Sequence, residues 1–211
     1  MDVPKEKVSN AVVARLPLYY RYLSALETQG YVRISSQQLG EKMGLTASQI
    51  RQDINCFGGF GQQGYGYNVT ALKMHVGEIL GMTSNYRMVI LGAGNIGRAI
   101  ANYKAFEKME FVVDALFDVN ASQMGEISGK PVLDITELPE YLEANTVDIG
   151  VIAVPSDAAQ QACDALVQGG VRAIWNFAPV DLVVPPNVSI KSVHLLDALL
   201  VLSYYMSNSD A

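Results

Sequence analysis

Cysteine and histidine are nearly absent from this 211-residue chain, which carries two of each. Cys56 and Cys163 lie far apart and in no metal-ligand spacing. Nothing therefore suggests a disulfide framework or a zinc site, and buried, reduced thiols in a cytoplasmic protein are expected. His75 and His194 are too few to form a metal cluster. No apolar run approaches the ~20 residues that a bilayer-spanning helix needs. The N-terminal MDVPKEKVSN has no apolar stretch of signal-peptide type, so no membrane partner is expected.

Half of the residues are hydrophobic, enough for a sizeable core, and the length allows one or two domains. The net charge of −6 is unevenly spread. Residues 1–82 hold eight Lys/Arg against six Asp/Glu, whereas residues 83–211 hold seven against fifteen. A small, mildly basic module joined to an acidic one fits this asymmetry. The polar stretch Gly81-Met82-Thr83-Ser84-Asn85 is the natural boundary.

The acidic half opens with RMVILGAGNIGRAIANYKAFEKMEFVVDALFD, residues 87–118. An apolar run suited to a buried parallel strand leads into Gly92-Ala93-Gly94-Asn95-Ile96-Gly97, a G-x-G-x-x-G turn. Gly92 permits the tight turn, Gly94 lets backbone approach a pyrophosphate, and Gly97 lets the following helix pack against the strand. The helix N-terminus offers free N–H groups and the positive end of its dipole to phosphates. Asp118 closes the second apolar run, 21 residues after Gly97. A carboxylate there suits ribose hydroxyls and repels a 2′-phosphate, which favours NAD(H) over NADP(H). Tyr103 is expected on the helix after Gly97. Residues 119–131 read as a loop and 137–144 as a short helix. An apolar strand at 148–154 follows, then a helix from Pro155-Ser156 to Gln168 and a strand at 171–175. After a Pro-rich stretch come a strand near 188–190 and a helix over 193–206. That last helix is apolar on more than one face (Leu195, Leu196, Leu199, Leu200, Leu202, Tyr204, Tyr205). It needs cover, either on its own domain or in a partner subunit.

The N-terminal half is helical. Residues 8–27 repeat apolar positions at helical spacing and stop near Gly30. Tyr31 to Ile34 reads as extended. Ser35 caps a helix to Met43, with Gln38 completing a capping box, and Gly44 ends it. Thr46, with Gln49 three places on, caps a second helix to about Cys56. Two short helices about a tight turn make a helix-turn-helix pattern. In the second, Ile50 and Ile54 face inward, leaving Thr46, Ala47, Ser48, Arg51 and Gln52 for base edges and phosphates in a major groove. A solvated helix in a protein-interaction domain is the alternative. FGGFGQQGYGYNV then suits a β-hairpin, or wing, with Gln63, Gly64 and Tyr65 near its tip, and Thr70 can cap a closing helix to about Leu80.

Catalytic groups are missing. A nicotinamide dehydrogenase usually needs a proton donor, such as His, Lys or a Tyr–Lys pair. Tyr103 and Lys104 are adjacent rather than four apart, and Lys130 stands alone. A dinucleotide site without catalytic apparatus, fused to a helix-turn-helix, reads as a sensor. The other readings are a small NAD-dependent oxidoreductase with an N-terminal interaction domain, and a nucleotide-binding scaffold without a DNA role.

RLPLYYRYL (15–23), ASQIRQDINCFGGFGQQGYGY (47–67), the glycine motif with Asp118, AVPSDAAQQACDALVQGGVRAIWNFAP (153–179) and LSYYM (202–206) together resemble the Rex family of redox-sensing transcriptional repressors, over nearly the whole chain. The resemblance implies an α/β protein in three parts. These are a winged helix-turn-helix domain (1–82), a Rossmann NAD-binding domain (83–192) and a C-terminal helix (193–211) exchanged between the subunits of a homodimer. It implies binding to an inverted-repeat operator in double-stranded DNA when NADH is low, and release when NADH binds. By position, Arg51 matches the family's recognition-helix Arg, Gly64 to Tyr67 its wing, and Val154, Pro155 and Ser156 a loop over the cofactor. Asn176 to Pro179 match its NFAP segment, and Arg15 and Tyr103 match an interdomain polar switch that touches both sites. Three departures stand out. Gln52 replaces a common Lys and Gln63 a common Arg, which should shrink the salt dependence of DNA binding. His194 replaces a common Asp, so the family's Asp–Arg pair cannot form in the same way. Leu195 stands beside it where an aromatic is common, facing the nicotinamide of NADH or NAD+.

Overall fold

In the computed structural model, residues 9–56, 58, 65–82 and 84–208 are described. The chain divides into two compact units, residues 1–84 and 85–211. In the first, α1 (Asn10–Thr28) is capped by Ser9, and its Val12, Leu16, Tyr19, Leu23 and Leu26 form one buried stripe. Pro17 is accommodated within this helix. After β1 (Arg33–Ile34) come α2 (Ser36–Met43) and α3 (Ala47–Asn55), then β2 (Tyr67–Asn68), antiparallel to β1, and α4 (Val69–Ile79). Ser35 and Gln38 close the expected capping box on α2, and Gly44 ends it with φ 69°. Thr46 accepts from the Gln49 N–H at the start of α3. The side chains of Leu16, Leu23, Leu39, Ile50, Ile54 and Leu72 meet in one core. Each such burial stabilises by about 1.5–3 kcal/mol, so the four helices hold one another in place.

Two details differ from expectation here. Asn68, not Thr70, caps α4, accepting from the Ala71 N–H at 2.8 Å. An Asx side chain one residue before the helix outcompetes the threonine within it. Thr70 instead donates to Glu27 Oε1 at 2.7 Å, tying α4 to α1. The wing's returning strand, β2, pairs with β1. Most of the glycine-rich stretch, with Gln63 and Gly64, lies outside the described residues.

The second unit is a seven-stranded sheet. Its elements are β3 (Tyr86–Leu91), α5 (Asn95–Ala101), β4 (Phe111–Asp118), β5 (Glu126–Ile127), β6 (Lys130–Asp134), α6 (Leu138–Ala144), β7 (Ile149–Ile152), α7 (Ser156–Gln168), β8 (Ala173–Asn176), β9 (Ser189–Ser192) and α8 (Leu195–Ser207). The strands lie in the order β5-β6-β4-β3-β7-β8-β9. Apart from the antiparallel β5 at the edge, all pairs are parallel and the order is the 3-2-1-4-5-6 of a doubly wound dinucleotide fold. Residues 119–131 are therefore not a loop throughout. They form a single 3-10 turn and the β5–β6 hairpin, turning through Gly129 at φ 74°. Its strands are only two to five residues long, too short to show period-2 patterning. Tyr103 is not on α5, which ends at Ala101. Asn102 caps that end, accepting the helix geometry but bonding its amide back to Arg98 O.

The helix α8 has no buried residue. Leu195, Leu196, Leu199, Leu200, Leu202, Tyr204 and Tyr205 are all more than half exposed, so it does not find its cover on its own chain. No helix among the described residues is long and apolar enough to cross a membrane.

Candidate functional site

The carboxyl ends of β3 and β7 form the point where the strand order reverses, and a doubly wound sheet opens its crevice there. At that point β3 delivers the glycine turn. Gly92 has φ 99°, and a Cβ on it would lie 2.5 Å from Ala153 O, so the turn is pressed against the chain leaving β7. A Cβ on Gly97 would collide with the carbonyl oxygen of Gly92, so α5 can approach the turn only without a side chain there. Gly94 is different in kind. Its φ is −72°, open to any residue, and a Cβ on it would meet nothing within 4 Å. Neither backbone strain nor packing within the chain explains a glycine at this position. Space left open for a ligand's backbone approach does, and the residues therefore fit a dinucleotide pyrophosphate.

The surrounding groups are set for the same purpose. Asp118 ends β4, beside β3, and its Oδ2 accepts the Ala93 N–H at 2.8 Å while Oδ1 accepts the Asn120 N–H at 2.9 Å. These bonds fix the carboxylate against the glycine turn, with lone pairs left for hydroxyl donors. Arg98 donates from Nε to Ala93 O at 2.9 Å, bracing the turn from the helix. Sequence reasoning missed this residue, because an arginine in the last turn of a short helix reads as ordinary surface. Asn95 and Ile96 begin α5, with their amides at the helix's N-terminal end. Val154 and Pro155 follow β7, and Ser156 opens α7. Next to them, Asn176 at the end of β8 is wholly buried. Its amide donates to Val180 O at 2.9 Å and its Oδ1 accepts the Ala178 N–H at 2.9 Å, so the segment Asn176 to Pro179 is held as a fixed turn. Phe177 N–H donates to Ile152 O at 2.8 Å, which keeps that turn beside the β7 end.

The structure thus gathers Gly92 to Gly97, Asp118 and Val154 to Ser156 around one crevice. Tyr103 is 59% exposed and sits against Phe106, which reaches Trp175 and through it Phe177 in a chain of ring contacts of 4.6–5.8 Å. Leu195 stands apart in the fold. It starts α8 after β9, three strands from β3. His194 precedes it without a capping bond from its side chain, and its Nε2 lies 3.9 Å from Asp181 Oδ1.

The first unit presents α3. Ile50 and Ile54 are buried, whereas Ser48, Arg51 and Gln52 are exposed, Ala47 is half-buried, and Thr46 caps the helix. Arg51 donates to Ser36 Oγ at 3.1 Å, which holds the guanidinium over the α2–α3 surface. Tyr65 is 69% exposed on the wing's returning arm, with Arg33 over its ring and donating to its carbonyl. Arg15 belongs to α1 rather than to α3 or the wing. It makes a two-bond fork to Asp53, a buried residue of α3 that the sequence reading passed over. Among the described residues no group of three or more His, Cys, Asp or Glu is placed to hold a metal.

Comparison with known proteins divides the chain at the same place. Residues 7–55 match the family described as "Putative DNA-binding protein N-terminus", and residues 83–180 match the "CoA binding domain" family. The chain is 53% identical over 207 residues to the redox-sensing transcriptional repressor Rex of Clostridium tetani, covering 98% of both chains. To that of Clostridium acetobutylicum it is 54% identical, covering 94% of both. Among solved structures it is similar to RSP in complex with beta-NAD+ and operator DNA, at TM-score 0.92 and 49% identity, covering 98% of this chain and 95% of that one. RSP in complex with beta-NADH matches at TM-score 0.90 and 46% identity, covering 98% and 97%.

Proposed function

Because the chain belongs to the Rex family of redox-sensing transcriptional repressors, we propose that its two sites work as one device: α3 and the wing bind operator DNA, and NADH in the glycine crevice releases it. The observation that carries this reading is the open cradle over Gly94, braced by Asp118, on a chain that also exposes a helix-turn-helix. Gly92 to Gly97 would hold the pyrophosphate, with the α5 amides facing it, and Asp118 the adenosine ribose. Val154, Pro155 and Ser156 would line the opposite wall. NADH and NAD+ supply a difference in ring charge and pucker, which is the redox signal. The relatives are named as repressors, and nothing favours an oxidoreductase.

Ligand can expel DNA only if it binds the DNA-incompetent arrangement better than the competent one. The exposed apolar α8 supports the part that a single chain lacks. Exchanged into a second subunit, it would find cover and bring Leu195 and His194 to the partner's nicotinamide end. Two subunits also supply the two recognition helices that an inverted repeat requires. On this reading the protein works in the cytoplasm, on the DNA that it regulates.

The test is a gel shift on a duplex selected by the unmodified protein from random-sequence DNA, with NADH, NAD+ or neither. Release by NADH at concentrations where NAD+ has no effect is expected. Trp175, the single tryptophan, gives an independent readout, because energy transfer to bound NADH should appear on excitation. Failure to select any DNA, or NADH binding without release, would overturn the reading.

A further inference from the structure

Asp53 and Asn176 are the buried polar side chains among the described residues, and Asn176 is accounted for by the turn that it clamps. Asp53 lies on α3 between Ile50 and Ile54, facing the core, with its side chain 3% exposed. A carboxylate there needs partners, because desolvating an unpaired charge is costly. It has three bonds. Arg15 donates from Nε to Oδ2 and from Nη2 to Oδ1, both at 2.7 Å, and the Tyr19 hydroxyl donates to Oδ2 at 2.9 Å. The fork uses one full edge of the guanidinium, and Tyr19 is itself buried. Both donors belong to α1, four residues apart; Tyr19 is on the buried stripe and Arg15 is partly exposed beside it.

Burial of Ile50 and Ile54 in the apolar cluster that they share with Leu16 and Leu39 holds α3 against its neighbours, but apolar burial is non-directional and tolerates rotation or sliding. A planar, two-bond pairing does not. Resting on the reading of α3 as the DNA-contacting helix, we infer that Arg15 and Asp53 set the pose of that helix, and that Arg15 acts on DNA through Asp53 rather than by touching it. The pair presents Ser48, Arg51 and Gln52 in register with the base edges.

The experiment compares the unmodified protein with Arg15→Lys, Tyr19→Phe, Asp53→Asn and the Arg15→Lys/Asp53→Asn double variant. Each is titrated with the selected operator duplex and with a random duplex of equal length, over a range of salt. Arg15→Lys keeps the charge and loses the fork. It should weaken operator binding about tenfold and leave random-duplex binding and the salt slope unchanged. Asp53→Asn should behave alike, and the double variant should be no worse than the more affected single one, as expected for one shared contact. Tyr19→Phe should give a smaller loss of the same kind. A phosphate contact would instead weaken both duplexes and lower the salt slope by about one when removed altogether, as in Arg15→Ala. That pattern, additive losses in the double variant, or an unchanged operator affinity in Arg15→Lys overturns the inference. If Asp53→Asn does not give a cooperative thermal transition, Arg15→Lys and Tyr19→Phe decide the matter alone. Absence of operator binding by the unmodified protein would count against the DNA-binding reading, not against the pairing.

Discussion

Asp118 shows how one side chain serves both fold and ligand. Two of its lone-pair directions are used within the chain, by Ala93 N–H and Asn120 N–H, and this use aims the remainder at the crevice. Removing the carboxylate therefore has two effects. Asp118→Ala leaves the Ala93 amide unpaired at the glycine turn and removes an acceptor for ribose hydroxyls. A hydrogen bond to a charged group contributes about 1.5–3 kcal/mol, so NADH affinity should fall by roughly 10- to 100-fold. NADPH affinity should fall less, because the repulsion of its 2′-phosphate is lost at the same time. Calorimetric titration of both nucleotides into both proteins checks this, and equal affinities in the unmodified protein would contradict the role. A second residue-scale expectation concerns pH. Glu27 accepts from Lys73 Nζ at 2.5 Å and from Thr70 Oγ1, and these partners hold its carboxyl below the ordinary value of 4.5. A depressed value means that the α1–α4 tie contributes fully above 4.5 and is lost as pH falls through the lower folded value. The melting temperatures of the unmodified protein and Glu27→Gln should differ at neutral pH and converge in acid. A gap that persists unchanged in acid would assign the effect to packing.

The glycine turn carries the argument at the level of elements, because its three glycines answer to three separate constraints. Gly97 is demanded by the close approach of α5 to β3, and Gly92 by its left-handed backbone and the Ala153 carbonyl, whereas Gly94 answers to nothing inside the chain. Gly97→Ala should thus destabilise the second unit by about 1–3 kcal/mol or more through overpacking, with nucleotide binding lost as a consequence. Gly94→Ala should leave the melting temperature within a degree or so of the unmodified protein and still abolish NADH binding. A Gly94→Ala protein that binds NADH normally would remove the pyrophosphate from that position. These constraints were legible in the sequence because spacing, strand and helix coincide within 32 residues. The capping of α2 by Ser35 and Gln38 was legible for the same reason, since the signal is local. Four features were not. The β5–β6 hairpin is too short for its pattern to register. Asn68 displaced Thr70 as the cap of α4 through a competition that spacing alone does not decide. The early end of α5 at Ala101 shows no breaking glycine or proline at that point. Asp53 reads as an ordinary polar helix residue until α1 is folded over it, since its partners are 34 and 38 residues away.

At the scale of the whole molecule, the unresolved demand is the surface of α8. A single chain leaves Leu195 to Met206 exposed on every side, at 53–70% for the large apolar residues. A contiguous apolar surface of that kind marks an association site. Stable interfaces bury roughly 1,200–2,000 Å² in total, and a thirteen-residue apolar helix would supply much of that if it were exchanged both ways. The helix contributes no buried side chain to the core of its own unit, whose clusters draw on strands β3 to β8 and helices α5, α6 and α7. Making α8 polar should therefore dissociate subunits without unfolding them. In sedimentation velocity at micromolar concentration, the unmodified protein should run as a dimer and a Leu199→Asp/Leu202→Asp variant as a monomer. Its far-ultraviolet circular dichroism should keep the α/β signature, and NADH should still bind through Asp118 and the glycine turn. Operator binding should fall by far more than NADH binding, because each half-site would then be held by one recognition helix alone, without the benefit of linkage between two. A monomer in the unmodified protein would break this chain of reasoning at its first step. A variant that stays dimeric would place the interface elsewhere and leave the exposed face of α8 to another partner.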